Sequence, residues 1–205
     1  MLEAKVAEGL VSVGCHVKAI GETASPVNYF TICTEKFDGG IHVTASHNPK
    51  EDNGLKLQLR DAEAFAGEDI QRLRLRIEDE DISKGDGTFA VHDALTPYSK
   101  HLVKLFSGVG KGKKVVVDTG NGVAGPAYCD ILKGVGADVI GIFTEPDGEF
   151  PNHPADPSKH ATLKDLQERV KIEHADLGLA FDGDGDRLGI VDAHGNILSA
   201  DHILL

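Results

Sequence analysis

The chain has 205 residues, of which 40% are hydrophobic and 26% charged, and a formal net charge of −12, a composition typical of a globular protein. The charge argues against nucleic acid and anionic membranes as partners, because both are themselves negative. No apolar run approaches the ~20 residues of a membrane span, and no signal peptide precedes the first predicted helix, so we expect a cytoplasmic location. The three cysteines have no metal or redox spacing and are expected to be buried thiols.

Residues 1–93 are predicted to form an α/β domain. Apolar residues at helical spacing over 2–13 predict an opening helix that Gly14 ends. Leucines alternating with polar residues over 55–59 predict a half-buried strand. We further expect a strand at 15–20, a loop at 23–27, an undecided stretch at 30–37, a strand at 41–44, a charged surface helix at 68–82 and a linker that begins at 84–87. Because the domain opens on a helix, we expect an upstream strand that this sequence lacks.

Residues 94–205 are predicted to form a second α/β domain, in which strands and helices alternate. Such alternation is typical of a mostly parallel sheet with helices on its faces, so each domain is assigned a mixed, mostly parallel sheet of that kind. Ligands of these sheets bind beyond the carboxyl ends of the strands. The expected strands are 113–118, 139–143, 176–181 and 188–191, and the expected helices are 97–106, 124–135 and 162–173. The apolar residues 203–205 are expected to begin a further helix.

Three aspartates, Asp182, Asp184 and Asp186, alternate with glycines between two apolar segments. Carboxylates this close repel one another unless a cation lies between them, and glycine lets the backbone turn tightly enough to aim them at one point. Their oxygens are hard ligands that suit Mg²⁺, Mn²⁺ or Ca²⁺. An acidic surface turn is the simpler alternative, although the apolar flanks are typical of buried strands. An EF-hand is rejected because Arg187 and Ala193 stand where that loop needs glycine and glutamate.

A second chemical motif surrounds Ser46 and His47, directly after a predicted strand. Pro49 restricts the loop conformation and biases Asn48 toward extended geometry. A serine in such a loop is a possible nucleophile if a base or cation lies near it, and His47 and Lys56 are the candidates. An ordinary turn with capping side chains is the simpler interpretation of this stretch alone. A Ser-His-Asp hydrolase is a further alternative, but nothing here resembles its Gly-x-Ser-x-Gly elbow.

Considered together, the two motifs favour phosphoryl transfer. A serine that carries a phosphoryl group needs a cation to neutralise it, and three neighbouring carboxylates need a cation to coexist. Both needs are met if Ser46 bears phosphate and one Mg²⁺ bridges it to Asp182, Asp184 and Asp186. The sequence therefore predicts a magnesium site with these four ligands.

A competing motif, Gly120–Gly125, matches the Gly-x-Gly-x-x-Gly fingerprint of a dinucleotide site after a predicted strand. Glu145, about twenty residues further on, could bind the ribose. Pro126 in the first helical turn and Pro146 after Glu145 weaken this interpretation. The structural alternative is a tight strand-to-helix turn, and a nucleotide-binding α/β module is the second hypothesis for function.

The chain resembles the α-D-phosphohexomutase family, most closely its phosphomannomutase/phosphoglucomutase members. The likeness depends mainly on Thr-Ala-Ser-His-Asn-Pro at 44–49, Asn-Gly-Leu-Lys at 53–56 and Asp-Gly-Asp-Gly-Asp-Arg at 182–187. Asp-Thr-Gly-Asn-Gly at 118–122 and Pro-Asn-His-Pro at 151–154 extend it across nearly the whole chain.

The resemblance implies an isomerase that moves phosphate between the 6 and 1 positions of a hexose. Its ligands would be hexose phosphates and hexose 1,6-bisphosphate, and Ser46 would be the phosphoserine. The aspartates would hold Mg²⁺, Lys56 and Arg187 would stabilise charge on the phosphoryl oxygens, and His47 would shape the loop or assist proton transfer. The resemblance also assigns residues 118–125 to packing.

The family pattern extends beyond both ends of this sequence. Its first domain opens with an upstream strand and a loop containing glycine and arginine, and its third and fourth domains bind the sugar hydroxyls and the non-reacting phosphate. We therefore expect two domains of a four-domain enzyme, with the missing C-terminal domains as partners. Such a chain would bind Mg²⁺ and accept phosphate on Ser46 but turn over sugar phosphate poorly, because remote contacts position the reacting centre. A non-catalytic metal-binding module is the third hypothesis.

Overall fold

The computed structural model describes residues 1–199 and 201–202, which contain six α-helices and nine β-strands. The helices are α1 (Leu2–Ser12), α2 (Ser25–Glu35), α3 (Glu68–Glu78), α4 (Leu95–Leu105), α5 (Gly125–Gly134) and α6 (Lys164–Glu173). The strands are β1 (His16–Ala19), β2 (Gly39–Val43), β3 (Leu55–Leu59), β4 (Thr88–Val91), β5 (Lys114–Asp118), β6 (Asp138–Ile142), β7 (Leu177–Phe181), β8 (Leu188–Asp192) and β9 (Ile197–Leu198). Among these described residues, none of the helices combines the length and the apolar character needed to span a lipid bilayer.

Contacts between Cα atoms divide the chain into two compact units. The first comprises Met1–Glu22, Val27–Thr44 and Gly54–Ala94. The second comprises Thr23–Pro26, Ala45–Asn53 and the chain from Leu95 onward. Two short segments from the first half of the sequence therefore belong to the second unit, and one of them contains Ser46. The domain boundary between residues 93 and 94 stays a prediction.

The first unit contains two small sheets. Strand β1 pairs in parallel with β4, and β2 pairs antiparallel with β3. Helix α2 contributes the buried side chains of Val27 and Ile32. A Cβ atom at Gly40 of β2 would lie 2.6 Å from the Ile32 side chain, so the glycine lets the helix pack closely on this hairpin.

The second unit is built on a five-stranded mixed sheet with the strand order β6-β5-β7-β8-β9. Strands β6, β5 and β7 are parallel, whereas β8 and β9 are antiparallel to their neighbours. Successive side chains of a strand point to opposite faces, so β5 contributes to two cores. Val116 packs with Val170 of α6, and Val117 packs with Cys129 of α5. Helices α6 and α5 therefore cover opposite faces of the sheet. Each fully buried aliphatic side chain in these cores contributes about 2 kcal/mol of stability.

The predicted α/β class is confirmed, but some elements differ from expectation. Helix α2 occupies the predicted loop at 23–27 and the undecided stretch at 30–37, because burial of Val27 and Ile32 outweighs the weak helix propensity of β-branched and aromatic residues. Strand β4 lies inside the predicted linker, where it pairs with β1. Strand β9 was not predicted. The other predicted elements are confirmed, with end shifts that are largest in the charged helix, which stops at Glu78.

The sheets are less parallel than predicted. In the second unit, β8 turns back beside β7 because the loop between them, residues 182–187, is too short for a parallel crossover. In the first unit, each described strand pairs with a single partner, which gives two sheets instead of one. The helix expected from residues 203–205 lies outside the described residues.

Candidate active site

The acidic loop, residues 182–187, begins where β7 ends. One carboxylate oxygen from each of Asp182, Asp184 and Asp186 lies within 4.8 Å of the others. Asp182 and Asp184 are 0% and 2% exposed, whereas Asp186 is exposed. Burying like charges this closely is unfavourable without a cation. The three oxygen donors therefore fit a metal ion that prefers hard ligands.

The carboxylate of Asp182 is held from several sides. Its Oδ1 accepts hydrogen bonds from the backbone N–H groups of Asp186 and Arg187, both at 3.0 Å. Its Oδ2 accepts a hydrogen bond from the Ser46 hydroxyl at 3.2 Å, and Arg187 Nε lies 3.8 Å away. Burial raises the pKa of Asp182, whereas the hydrogen bond from the backbone N–H of Arg187 lowers it. The negative charges of Asp184 and Asp186 raise this pKa further. A bound cation would act in the opposite direction, because it favours the ionised form.

Asp184 is tied to the segment 23–26. The Ser25 hydroxyl donates to Asp184 Oδ2 at 2.8 Å, and the Ser25 N–H donates to the Asp184 carbonyl oxygen at 2.9 Å. Ser25 was not among the site residues predicted from the sequence. A serine followed by Pro26 was the available signal, but that pattern indicates an ordinary helix N-terminus equally well.

Ser46 has a left-handed backbone, with φ of +57°. Such a conformation is uncommon for a residue other than glycine and indicates a local constraint that the surrounding structure imposes. The N–H of Asn48 donates to the Ala45 carbonyl at 3.0 Å, which closes the turn, and His47 Nδ1 lies 3.3 Å from Ser46 Oγ. A Cβ atom at Gly183 would overlap the Ser46 carbonyl oxygen, so only glycine there lets the serine loop and the acidic loop approach this closely.

A pocket of about 310 Å³ opens beside Ser46. Lys50 and Lys159 contribute to its lining. Lys50 pairs with Glu149, and this hydrogen bond raises the pKa of Lys50. Lys159 Nζ lies 3.1 Å from the buried carboxylate of Asp156. Glu51 and Glu149 also line the pocket, so its two ammonium charges are balanced by two carboxylates.

The second unit brings together most of the predicted site residues. Ser46 and the aspartates meet in the contacts above, His47 lies beside Ser46, and Arg187 lies beside Asp182. Lys56 belongs to the first unit, where it lies on β3 opposite His42 of β2. The catalytic roles of all these residues stay predictions.

In the glycine loop, residues 120–125, the backbone N–H groups of residues 120–123 donate hydrogen bonds to acceptors of the protein itself. A Cβ atom at Gly122 would lie only 2.9 Å from the Gly183 carbonyl oxygen, so this loop packs directly on the acidic loop. A dinucleotide site needs such N–H groups for the pyrophosphate, and here they already have acceptors, which favours packing over nucleotide binding. The bonds run from Gly120 N to Asp118 Oδ1 at 2.8 Å, from Asn121 N to the Phe143 carbonyl at 2.7 Å, from Gly122 N to the Thr119 carbonyl at 2.7 Å and from Val123 N to the Gly183 carbonyl at 3.0 Å.

An ion pair between His153 and Asp118 supports both loops. His153 Nε2 lies 3.1 Å from Asp118 Oδ2, and His153 Nδ1 lies 2.9 Å from the Pro154 carbonyl oxygen. A carbonyl oxygen and a carboxylate oxygen both accept hydrogen bonds, so a protonated imidazole, which donates from both ring nitrogens, satisfies both contacts. The hydrogen bond to Asp118 raises the pKa of His153. The neighbouring Ala155 carbonyl accepts the N–H of Gly183 at 3.2 Å, so the ion pair fixes a segment that contacts the acidic loop.

Two sequence profiles of one protein family match most of the chain. The profile of phosphoglucomutase/phosphomannomutase, alpha/beta/alpha domain I, matches residues 1–84. The profile of alpha/beta/alpha domain II of the same family matches residues 96–195. The first match contains the Ser46 loop, and the second contains both the glycine loop and the acidic loop.

Individual relatives agree with these profiles. The phosphomannomutase/phosphoglucomutase of Pseudomonas aeruginosa is 44% identical over 198 residues, which are 97% of this chain and 42% of that protein. A phosphoglucomutase of Neisseria meningitidis is 38% identical over 202 residues, 98% of this chain and 44% of the relative. The crystal structure of a Burkholderia thailandensis family protein matches with a TM-score of 0.92 and 37% identity, over 98% of this chain and 45% of that one. The chain thus spans less than half the length of these relatives, and it belongs to the phosphoglucomutase/phosphomannomutase family.

Proposed function

We propose that this chain is part of a phosphohexomutase, an isomerase that interconverts hexose 6-phosphates and hexose 1-phosphates through hexose 1,6-bisphosphate. In this proposal Ser46 carries the phosphoryl group, and Asp182, Asp184 and Asp186 hold Mg²⁺ beside it. Support comes from the family membership and from relatives named phosphomannomutase/phosphoglucomutase and phosphoglucomutase.

The observation that carries the proposal is the approach of Ser46 to the acidic loop. Its hydroxyl lies 3.2 Å from the carboxylate of Asp182. The backbone of Ser46 is left-handed, and a side chain at Gly183 would overlap the Ser46 carbonyl oxygen. A phosphoryl group on this hydroxyl would meet the negative charge of the acidic loop. A cation between them removes the repulsion, so one metal ion satisfies the serine loop and the acidic loop together.

In the transfer step, the bond between phosphorus and Ser46 Oγ breaks while a sugar hydroxyl oxygen bonds to phosphorus. The sugar hydroxyl loses its proton to solvent water and Ser46 Oγ gains one, so protons and charge balance. His47, with Nδ1 at 3.3 Å from that oxygen, supplies the proton in this scheme. When bound, Mg²⁺ neutralises the phosphoryl oxygens and acts as a Lewis acid. Arg187 stabilises charge that develops on those oxygens, and the same role for Lys56 is a prediction from the family resemblance.

The pocket beside Ser46 bears on how an anionic sugar reaches a protein of net charge −12. Long-range repulsion of a sugar phosphate is screened beyond about 8 Å at physiological salt. The lining of the pocket contains Lys50 and Lys159 together with Glu51 and Glu149, so its formal charge is balanced. A sugar phosphate therefore meets a neutral lining there, although the chain as a whole is strongly negative.

Phosphoryl labelling tests the proposal directly. The chain is incubated with glucose 1,6-bisphosphate and Mg²⁺, its intact mass is measured, and the modified residue is located by peptide mapping. We expect one added phosphoryl group, on Ser46. Ser46→Ala should abolish labelling and leave metal binding largely intact, whereas Ser107→Ala, at an exposed position, should label as the wild type does. Labelling that survives Ser46→Ala would refute the phosphoserine mechanism.

A further inference from the structure

We infer that Tyr128 is a positioning residue that sets the metal affinity of the acidic loop, through its hydrogen bond to the carbonyl oxygen of Gly185. The inference rests on the proposed metal site. Gly185 stands between two of the proposed ligands, Asp184 and Asp186, so the orientation of its peptide groups determines where both carboxylates point.

The contact is direct and shielded from water. Tyr128 lies on α5, its hydroxyl donates to the Gly185 carbonyl at 2.8 Å, and the residue is only 9% exposed. Its ring packs edge-on against Phe181, with centroids 4.8 Å apart. Because Phe181 immediately precedes Asp182, the same side chain braces the loop at its start and near its middle. Removing the hydroxyl would leave a buried carbonyl without this partner, and such a loss is costly.

One peptide group explains how the hydroxyl reaches the ligands. The Gly185 carbonyl and the Asp186 N–H belong to the same planar peptide unit. Tyr128 holds the carbonyl end, and Asp182 Oδ1 accepts from the N–H end at 3.0 Å. The plane is therefore fixed from both sides. If the carbonyl end is released, the plane can tilt, and both the Asp186 backbone and the Asp182 carboxylate lose a constraint.

The backbone at Gly185 is confined in other directions as well. Its φ is +72°, a conformation that glycine adopts without strain. A Cβ atom there would lie 2.8 Å from the Cβ of Ala124 and 3.0 Å from the Cβ of Ala24. Small residues thus surround the loop backbone, and the polar contact from Tyr128 selects one orientation within that narrow space.

Tyr98 extends the arrangement to α4. It is 8% exposed, and its hydroxyl is hydrogen-bonded to the Tyr128 hydroxyl. The Gly185 carbonyl can only accept, so Tyr128 donates its single proton to that carbonyl and accepts from Tyr98. A hydroxyl that accepts one hydrogen bond donates a stronger one. Removal of the Tyr98 hydroxyl should therefore weaken the contact to Gly185 without abolishing it.

The test is a calorimetric Mn²⁺ titration of the purified chain and its variants. Tyr128→Phe should weaken Mn²⁺ binding by about tenfold, the lower end of the loss when an outer contact of a metal site is removed. Tyr98→Phe should weaken it by about twofold to threefold. Cys129→Ala removes a neighbouring buried side chain on α5 that packs in a core cluster with Val115 and Val117, so it should lower thermal stability and leave Mn²⁺ affinity unchanged.

Amide hydrogen exchange gives a second readout that needs no metal. The Asp186 amide should exchange faster in Tyr128→Phe than in the wild type, and Cys129→Ala should not change its rate relative to neighbouring amides. If Tyr128→Phe and Tyr98→Phe match the wild type in both Mn²⁺ affinity and Asp186 exchange, the inference is wrong while the metal site stands. If Tyr128→Phe does not fold, the same two measurements on Tyr98→Phe decide. If the wild-type chain itself binds no Mn²⁺, the result refutes the metal site and, with it, the coupling between Tyr128 and metal affinity.

Discussion

Two glycine-rich loops follow neighbouring parallel strands of one sheet, and they differ in what their polar groups face. In the acidic loop, three carboxylates face one another within 4.8 Å. In the glycine loop, the backbone N–H groups from Gly120 to Val123 each donate to an acceptor of the protein itself. Glycine allows both arrangements, so its spacing alone does not identify a ligand site. The distinguishing feature is a group of like charges that only an external ion can compensate.

The glycine loop also helps to position the acidic loop. Val123 N donates to the Gly183 carbonyl, and a side chain at position 122 would crowd the same carbonyl oxygen. Gly183 in turn lies against Ser46. The glycine loop therefore contributes to the candidate site by setting the position of the acidic loop. Substitutions in the two loops should differ in their effects on metal affinity and on stability.

Asp182→Asn should have the largest effect and should separate metal affinity from stability. Removing one of three charged ligands should weaken Mn²⁺ binding by more than about 100-fold, which exceeds the loss from outer contacts. Without metal, the variant should be as stable as the wild type or up to about 1 kcal/mol more stable, because a buried charge beside two like charges is removed. Calorimetric titration and urea unfolding measure the two quantities.

Asp130→Asn is the matched control, because that carboxylate is exposed on α5. It should change neither Mn²⁺ affinity nor stability. Full Mn²⁺ affinity in Asp182→Asn would show that the acidic loop does not hold the metal, and the contrast between the two loops would then disappear.

Gly125→Ala should have the opposite signature, with a loss of stability and no loss of metal affinity in the folded protein. A Cβ atom there would overlap the Thr144 carbonyl oxygen, and overpacking of this kind costs about 3 kcal/mol at the upper end of its usual range. Urea unfolding measures the loss. At Gly148 the space for a Cβ atom is open, so Gly148→Ala should leave stability unchanged within about 0.5 kcal/mol.

The glycine loop also predicts the response to nucleotides. Because its N–H groups already have acceptors, NAD or ATP without metal should not raise the thermal unfolding midpoint of the wild-type chain. Clear protection that Gly125→Ala removes would contradict the packing interpretation and support a nucleotide site instead.

The part of the site that the sequence could predict is the part that is local. Three aspartates within five positions lie close together in any tight turn, and Pro49 restricts the turn beside Ser46 whatever packs around it. The parallel arrangement of β5, β6 and β7 followed from the same kind of local alternation. These inferences needed no knowledge of distant contacts.

The rest depends on contacts between distant parts of the chain. Ser25 meets Asp184 across 159 positions, and Tyr128 meets Gly185 across 57. Nothing in the local pattern around either residue indicates such a partner. Helix α2 was missed for a similar reason, since the burial of Ile32 comes from tertiary packing and not from helix propensity.

The smallest predicted effect is a pH dependence at His153, whose segment contacts both loops. Its imidazolium pairs with Asp118, with Asp165 as a more distant negative group, and its pKa is raised in the folded protein. A raised pKa means that the stabilisation is fully present below the unfolded value of about 6.5 and is lost as pH rises through the folded value. Urea unfolding of the wild type should therefore show a loss on the order of 1 kcal/mol as the histidine deprotonates, since hydrogen bonds to charged groups are worth this much or more.

His153→Gln should remove this contribution, because glutamine does not titrate and its amide replaces the imidazolium with a weaker neutral donor. The difference in unfolding free energy between wild type and variant should shrink as pH rises through the same window. His160→Gln, at an exposed position, should keep the wild-type pH dependence. If the difference in unfolding free energy is instead constant across that window, His153 is neutral in the folded protein. The segment carrying Ala155 is then held against the acidic loop by uncharged contacts alone.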